Sequence, residues 1–137
     1  MENKFSEGLT KVFKHSKSEA KRLHSEFLST EHFLLGIIQT DNSAKEILEN
    51  LQADLTQIRR KIENMNVNTN PFSEEKENIS FTKLADYAVK RADLECRQYR
   101  ASEINTVHLL LGILYKMEDP TTNILSAYEI DYDSVAK

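Results

Sequence analysis

The sequence predicts an all-α fold made of two related repeats, each with four short helices. Residues 29–38 recur as residues 105–114, so that a Thr, a His and a Leu-Leu-Gly-Ile run occupy the same places in both segments. Apolar residues follow the three-and-four spacing of amphipathic helices through both copies. The 137 residues include only 3 Gly, 2 Pro and no Trp, so the residues that punctuate sheet-rich folds are scarce.

The two copies keep a constant offset of 76 residues from residue 5 to residue 38 without a gap. Such a match predicts two copies of one helical unit stacked about a pseudo-twofold axis, within a single domain over residues 1–137. We assign repeat one to residues 5–63 and repeat two to residues 81–137. Residues 64–80 are rich in asparagine and charge, which predicts a solvated linker.

Polar residues at suitable positions predict where the helices of repeat one begin. Ser6 is expected to cap the first helix and Thr30 the second, whose residues 33–38 are apolar on every side, as in a helix enclosed by its neighbours. Ser43 starts a capping-box pattern for the third helix, and Asp54 precedes the fourth.

Repeat two shows the same signals. Its helices are predicted to begin at Thr82, at Thr106, at Asp119 with Pro120, and after Asp131. After Pro120 the match requires a slip of one residue, so that Ile124 corresponds to Ile47.

Composition argues against several classes of function. A net charge of −4 and a pI near 5.6 are unlike a nucleic-acid-binding surface, which needs clustered Lys and Arg. No apolar run is long enough to cross a membrane, and the start at Met1 lacks a signal-peptide pattern, so a cytoplasmic protein is expected. The single cysteine, Cys96, has no partner for an internal disulfide and is interpreted as a small core residue.

The histidines do not form a metal-binding pattern. His15 and His24 would face opposite sides of a helix, and His32 and His108 occupy the same place in their repeats. A shared packing or hydrogen-bonding role is the simpler interpretation of the second pair. No catalytic set is duplicated with them, so neither a catalytic residue nor a metal is expected.

The glycines do not form a phosphate-binding loop, so the chain is not expected to bind ATP or another cofactor. Gly36 and Gly112 lie inside apolar helices, where glycine costs about 1 kcal/mol relative to alanine. Both positions are therefore predicted to allow a close approach of another helix.

Two mismatches between the repeats point to candidate binding residues. Glu31 lies in a first helical turn, where a carboxylate favours the helix dipole and could also hold a guanidinium, but its counterpart is Val107. In the second repeat the position of Phe27 is occupied by Glu103. A position that accepts both is expected to be exposed, which makes Phe27 a candidate contact for a partner.

The Phe-Ser and Phe-Thr starts, the Thr-Glu-His-Phe-Leu-Leu-Gly-Ile signature and its Thr-Val-His-Leu-Leu-Leu-Gly-Ile echo resemble the Clp amino-terminal repeat domain. This module stands at the front of Clp/Hsp100 unfoldases, and the sequence is most similar to the ClpC branch. The resemblance implies a non-catalytic module that docks adaptor and substrate proteins for an ATPase ring and its peptidase.

In ClpC-like members each repeat has a pocket for phosphorylated arginine, where the glutamate of the signature pairs with the guanidinium and a hydroxyl residue lies near the phosphate. The resemblance therefore implies Glu31 with Ser6 in repeat one and Thr82 in repeat two. Val107 departs from this pattern because valine cannot hold a guanidinium. The alternatives left open are a free-standing homologue that regulates adaptor availability, a small helical enzyme and a nucleic-acid binder.

Overall fold

The computed structural model describes residues 4–23, 25–65 and 80–136. Within these ranges the all-α prediction is confirmed, with four helices in each repeat. Those of repeat one are α1 (Glu7–Arg22), α2 (Thr30–Gln39), α3 (Ser43–Asn50) and α4 (Leu55–Met65). Those of repeat two are α5 (Lys83–Gln98), α6 (Thr106–Tyr115), α7 (Pro120–Ser126) and α8 (Tyr132–Ala136).

Two very short parallel strand pairs join the repeats. β1 (Lys4–Phe5) pairs with β4 (Glu103–Ile104), and β2 (Phe27–Leu28) pairs with β3 (Ser80–Phe81). In each pair the strand that opens one repeat lies beside the strand that precedes the second helix of the other. This reciprocal exchange is the arrangement expected of a pseudo-twofold axis. Two-residue strands are too short to show a sequence period, so they were not predicted.

The helices of both repeats share one hydrophobic core. Within each repeat the first helix packs along the second, while α3 contacts α6 and α7 contacts α2 across the repeat boundary. Leu34 and Leu110, in the two central helices, are completely buried. The prediction that the two halves close over a common interior is confirmed.

Gly36 and Gly112 allow the first and second helices of each repeat to touch through their backbones. A Cβ atom at Gly36 would lie 2.5 Å from the carbonyl oxygen of Val12. At Gly112 it would overlap the carbonyl oxygen of Ala88. Both glycines are needed for close packing, as predicted, and no ligand is required to explain them.

The cap of α2 differs from the prediction by one residue, because Ser29 rather than Thr30 is the N-cap residue. Helix α6 begins at Thr106, as predicted, and Asn105 caps it. The Thr30 hydroxyl instead donates a hydrogen bond to Asp119 Oδ1 at 2.7 Å, in a buried contact between the repeats. The Thr106 hydroxyl accepts the N–H of Ala44 at 3.2 Å, so both threonines join the repeats instead of capping their own helices.

The remaining helix starts agree closely with the sequence. Ser6, Thr82, Asp54 and Asp119 each accept a backbone N–H in the following turn, as predicted. The exception is α3, which is capped by Asn42 instead of Ser43 because the Asn42 side chain accepts the N–H of Lys45 at 2.9 Å.

The slip of one residue after Pro120 is visible in the backbone. Asn42 and Asp119 cap α3 and α7, and Gln52 and Glu129, with φ of 66° and 60°, follow these two helices. Asn42 matches Asp119, and Gln52 matches Glu129, only if the offset between the repeats is one residue larger than it is for the earlier helices.

The predicted linker lies mostly outside the described residues. At its edges, Asn64 and Met65 belong to α4 and Ser80 belongs to β3.

Candidate functional site

The strand exchange decides which predicted site residues come together. The N–H of Thr82 donates to the carbonyl oxygen of Leu28 at 3.0 Å, and the N–H of Ser6 donates to that of Ile104 at 2.8 Å. Thr82 therefore lies beside the segment that leads into Glu31. Ser6 lies beside Ile104, which is three residues before Val107 and leads into α6.

The strand pairs show where the residues named by the resemblance lie in the fold. Ser6 and Glu31 belong to one repeat in the sequence, but each lies at a junction with the other repeat. We call the pairing of β2 with β3, which brings the backbone of Thr82 beside the chain that leads into Glu31, the Glu31 junction, and the pairing of β1 with β4, which brings Ser6 beside the start of α6, the α6 junction. These junctions form because β1 and β3 each pair outside their own repeat, which a comparison of the two copies cannot reveal.

Glu31 occupies the first turn of α2 and is partly exposed. Its Oε2 accepts a hydrogen bond from the Ser29 hydroxyl. Among the described residues no lysine or arginine forms an ion pair with it. A carboxylate in this position can receive a guanidinium from outside in a charge-assisted pair.

Val107 occupies the same place in α6 and packs against the core. Its helix start is held by Asn105, whose side-chain oxygen accepts the N–H groups of Val107 and His108 at 2.9 and 3.1 Å. The α6 junction therefore has a hydroxyl from Ser6 but no carboxylate in the first turn. The two junctions are alike in backbone and different in charge.

The hydroxyls of Ser6 and Thr82 act as helix caps. Their oxygen atoms accept the N–H groups of Leu9 and Ala85 at 3.1 and 3.0 Å. In the part of the chain that the structure describes, neither hydroxyl donates its own proton. Each could therefore donate to an oxyanion without giving up the cap.

His32 and His108 stabilise the starts of the central helices. Nδ1 of each ring accepts the N–H of the cap residue, Ser29 or Asn105, at 3.0 Å. Burial lowers the pKa of His32 to about 4, and the negative charge of Glu19 opposes that shift only in part. Burial also lowers the pKa of His108. Both rings are neutral hydrogen-bond acceptors at neutral pH, which confirms the shared packing or hydrogen-bonding role predicted for them.

We expect the domain to lose stability as the pH falls below 6.5. The ordinary pKa of His32 is 6.5 and its folded pKa is about 4, so the unfolded chain binds the proton more readily between these values. This difference lowers the free energy of unfolding by about 1 kcal/mol between pH 6.5 and pH 5.5. Urea unfolding followed by circular dichroism measures it.

His32→Gln is the matched variant, because its amide oxygen can still accept the Ser29 N–H while the titration is gone. It should show a smaller loss over the same pH interval, and the remaining loss would include the contribution of His108. An unchanged slope would contradict the assignment to His32.

The buried carboxylates Glu19 and Glu95 are also duplicated. Glu19 is held by Arg22, whose Nε lies 2.5 Å away, and by the Gln39 amide. Glu95 accepts hydrogen bonds from Arg91 and from the hydroxyl of Tyr132. Burial and the adjacent carboxylate raise the pKa of Tyr132 to about 12. These contacts tie α1 to α2 and α5 to α8, so both carboxylates have a structural role.

Phe27 is 49% exposed on β2, and its counterpart Glu103 is exposed on β4. The exposure predicted for this position is confirmed. Its use as a partner contact stays a prediction.

An aromatic cluster beside the strand pairs was not predicted. The ring of Phe13 lies 5.1 Å from that of Phe5 and 5.3 Å from that of Phe33, and Phe33 lies 5.6 Å from Phe81. Phe5 and Phe81 are matching residues of the two repeats, which was visible in the sequence. That they share one cluster depends on the strand exchange, which was not.

No group of three or more His, Cys, Asp or Glu side chains within residues 4–23, 25–65 and 80–136 could hold a metal ion. Over the same residues, no helix combines the length and apolar character needed to cross a bilayer. Cys96 is buried, as predicted for a core residue, and burial raises the pKa of its thiol.

Comparison with known proteins places this geometry among the Clp proteins. Residues 4–128 match the family described as the Clp repeat (R) N-terminal domain. The sequence is 30% identical, over its whole length, to a probable ATP-dependent Clp protease ATP-binding subunit of Chlamydia pneumoniae, of which it covers 16%. It is 29% identical over 98% of its length to the chloroplastic chaperone protein ClpC2 of Oryza sativa subsp. japonica, of which it covers 15%.

The fold is similar to that of a solved Hsp104 N-terminal domain from Candida albicans. The TM-score is 0.78 at 20% identity, and the match covers 96% of this chain and 86% of the other. The chain thus spans nearly all of a solved N-terminal domain but less than a fifth of the curated relatives it matches.

Proposed function

The chain belongs to the Clp repeat N-terminal domain family, and we propose that it docks adaptor and substrate proteins for an ATP-driven Clp unfoldase. The ATPase ring and the peptidase are its proposed functional partners, and the module itself has no catalytic role. Its proposed location is the cytoplasm. The observation that carries the proposal is a partly exposed carboxylate, Glu31, in the first turn of α2, whose preceding strand β2 pairs with the strand β3 that leads into Thr82.

The ligand proposed for this junction is phosphoarginine in a marked protein. Glu31 would hold the planar guanidinium, and the cap hydroxyl of Thr82 would donate to the phosphate. The positive end of the α2 dipole favours the same anion. Ser6 is proposed to offer a hydroxyl at the other junction, where Val107 provides no partner for the cation.

Calorimetry with free phosphoarginine tests the ligand, with arginine and phosphoserine as controls. Phosphoarginine should give saturable heat with a stoichiometry near one, because one junction has both groups. Neither control should reproduce that heat, since arginine lacks the phosphate and phosphoserine lacks the guanidinium. Equal binding of arginine and phosphoarginine, or no heat with either, would reject the ligand while leaving protein docking to be tested separately.

Docking is tested by retention of lysate proteins on the immobilised domain. Phe27→Glu is a suitable variant, because repeat two has glutamate at the matching position and the residue is exposed. If Phe27 contacts partners, the variant should retain fewer of the proteins that the unmodified domain retains. Identical sets of proteins would remove Phe27 from the docking surface.

A further inference from the structure

Helix α1 has a second stripe of residues, which begins beside the core at Phe13 and is otherwise exposed. Phe13 is half-buried on this stripe, and Thr10, Lys14, Lys17 and Lys21 are exposed along it. They follow helical spacing, so they line one face of α1 over about three turns. Together with Phe5 they form a groove of about 460 Å³, which we call the lysine groove.

The three lysines of the groove are not neutralised by the rest of the described chain. Among the described residues none of the three forms an ion pair, whereas Lys11, off the stripe, pairs with Glu7. The groove therefore has three positive charges on a domain whose net charge is −4. Such a local excess attracts anionic groups even when the whole molecule is acidic.

Repeat two provides an internal comparison. On α5 the matching cations are paired, Lys90 with Asp86 at 2.8 Å and Arg97 with Asp93 at 3.1 Å. The two aspartates stand where repeat one has Thr10 and Lys17. Two residue differences thus convert a stripe of balanced charge into one with three unpaired positive charges.

An aromatic surface lies at one end of the same groove. Phe5 is 44% exposed and its ring meets that of Phe13 edge to face, while the buried Phe33 supports Phe13 from below. Repeat two has Val89 in place of Phe13. The groove therefore combines an apolar anchor point with a row of cations, and the other repeat has neither in the same form.

We propose that the lysine groove docks an acidic protein segment that carries an aromatic side chain. The aromatic residue would pack on Phe5 and Phe13, and carboxylates spaced along the segment would meet Lys14, Lys17 and Lys21. Buried aromatic anchors supply much of the affinity of such contacts, while charge complementarity supplies selectivity and fast association. None of the residues of the lysine groove is among those proposed to hold phosphoarginine, and the inference does not depend on phosphoarginine recognition.

Fluorescence anisotropy with a labelled peptide of glutamates around a central phenylalanine tests the proposal. Binding should be saturable and should weaken as salt is raised, because exposed charges are screened. A peptide with serine in place of phenylalanine should bind less tightly, and one with lysines in place of glutamates should not bind. Absence of binding by the first peptide, or equal binding of the acidic and basic peptides, would overturn the proposal.

Variants copied from repeat two locate the site. Lys17→Asp should weaken peptide binding about tenfold. As a separate variant, Phe13→Val should weaken binding more than Lys17→Asp does at high salt, because the charges are screened there and the apolar contact dominates. Lys90→Gln on α5 is the matched control and should bind like the unmodified domain. Lys17 is exposed, so its variant should fold normally, which circular dichroism checks. Unchanged affinity in Lys17→Asp would overturn the assignment.

Two further experiments distinguish an acidic protein segment from other ligands of the lysine groove. Glu31→Ala should leave the acidic peptide bound normally, so a failure of phosphoarginine recognition would not be confused with a failure here. Vesicles containing phosphatidylserine and a single-stranded oligonucleotide test whether any polyanion suffices. If either binds at the lysines while the acidic peptide does not, the protein-segment proposal is wrong.

Discussion

Replacing Gly112 with alanine is expected to lower the free energy of unfolding by about 2 kcal/mol. A methyl group there would overlap the carbonyl oxygen of Ala88 and would lie 3.1 Å from the backbone nitrogen of Ala92, so α5 and α6 would have to separate. Overpacking of this kind costs about 3 kcal/mol, and alanine recovers about 1 kcal/mol of helix propensity. Urea unfolding followed by circular dichroism measures the net change.

Gly8→Ala is the matched control. Gly8 also lies in a helix, but an added methyl group would meet its nearest atom only at 3.9 Å, the side chain of Thr106. The substitution should therefore raise stability by up to about 1 kcal/mol. Gly36→Ala should resemble Gly112→Ala, because its methyl group would meet a backbone carbonyl oxygen and Ser16 Oγ. If all three variants proved equally stable, the close backbone contact would not be what selects glycine.

The duplicated helical unit could be predicted from the sequence because capping residues and apolar spacing are local patterns. A cap at Ser6 and the apolar face of α1 depend on residues within a few turns, as does the pattern around Gly36. The constant offset between the copies then predicted the second half from the first. The slip of one residue after Pro120 could also be predicted, because apolar residues of the two repeats match again once the offset is increased by one.

The contacts between the repeats could not be read in the same way. The exchange of β1 and β3 involves two residues in each strand, and its register depends on how the two helical units meet. For this reason the sequence did not show that the strand before Thr82 pairs with the strand that leads into Glu31. The same limit explains the caps. Thr30 is a good capping residue by type, but it faces Asp119 of the other repeat, and only the packing of α7 on α2 reveals that.

Glu31→Ala is expected to weaken phosphoarginine binding about a hundredfold, which corresponds to about 2.7 kcal/mol. The proposed pocket loses the only first-turn carboxylate at either described junction, and a guanidinium left without its partner keeps only the phosphate contacts. Calorimetry measures the change directly. Glu31→Gln should lose nearly as much, because it keeps a side-chain oxygen near Ser29 but lacks the charge. Normal binding by Glu31→Gln would contradict a role as the guanidinium partner.

The complementary change is Val107→Glu, which supplies a carboxylate at the junction that already has the Ser6 hydroxyl. A glutamate in the first turn of α6 is favoured by the helix dipole, and Val107 is only partly buried, so the variant should fold. The expected result is an increase in stoichiometry from one site towards two, with Val107→Gln as the uncharged control. If Val107→Glu still bound a single phosphoarginine, then a hydroxyl and a first-turn carboxylate would be insufficient to make the pocket, and the chemistry proposed for Glu31 with Thr82 would need a further group.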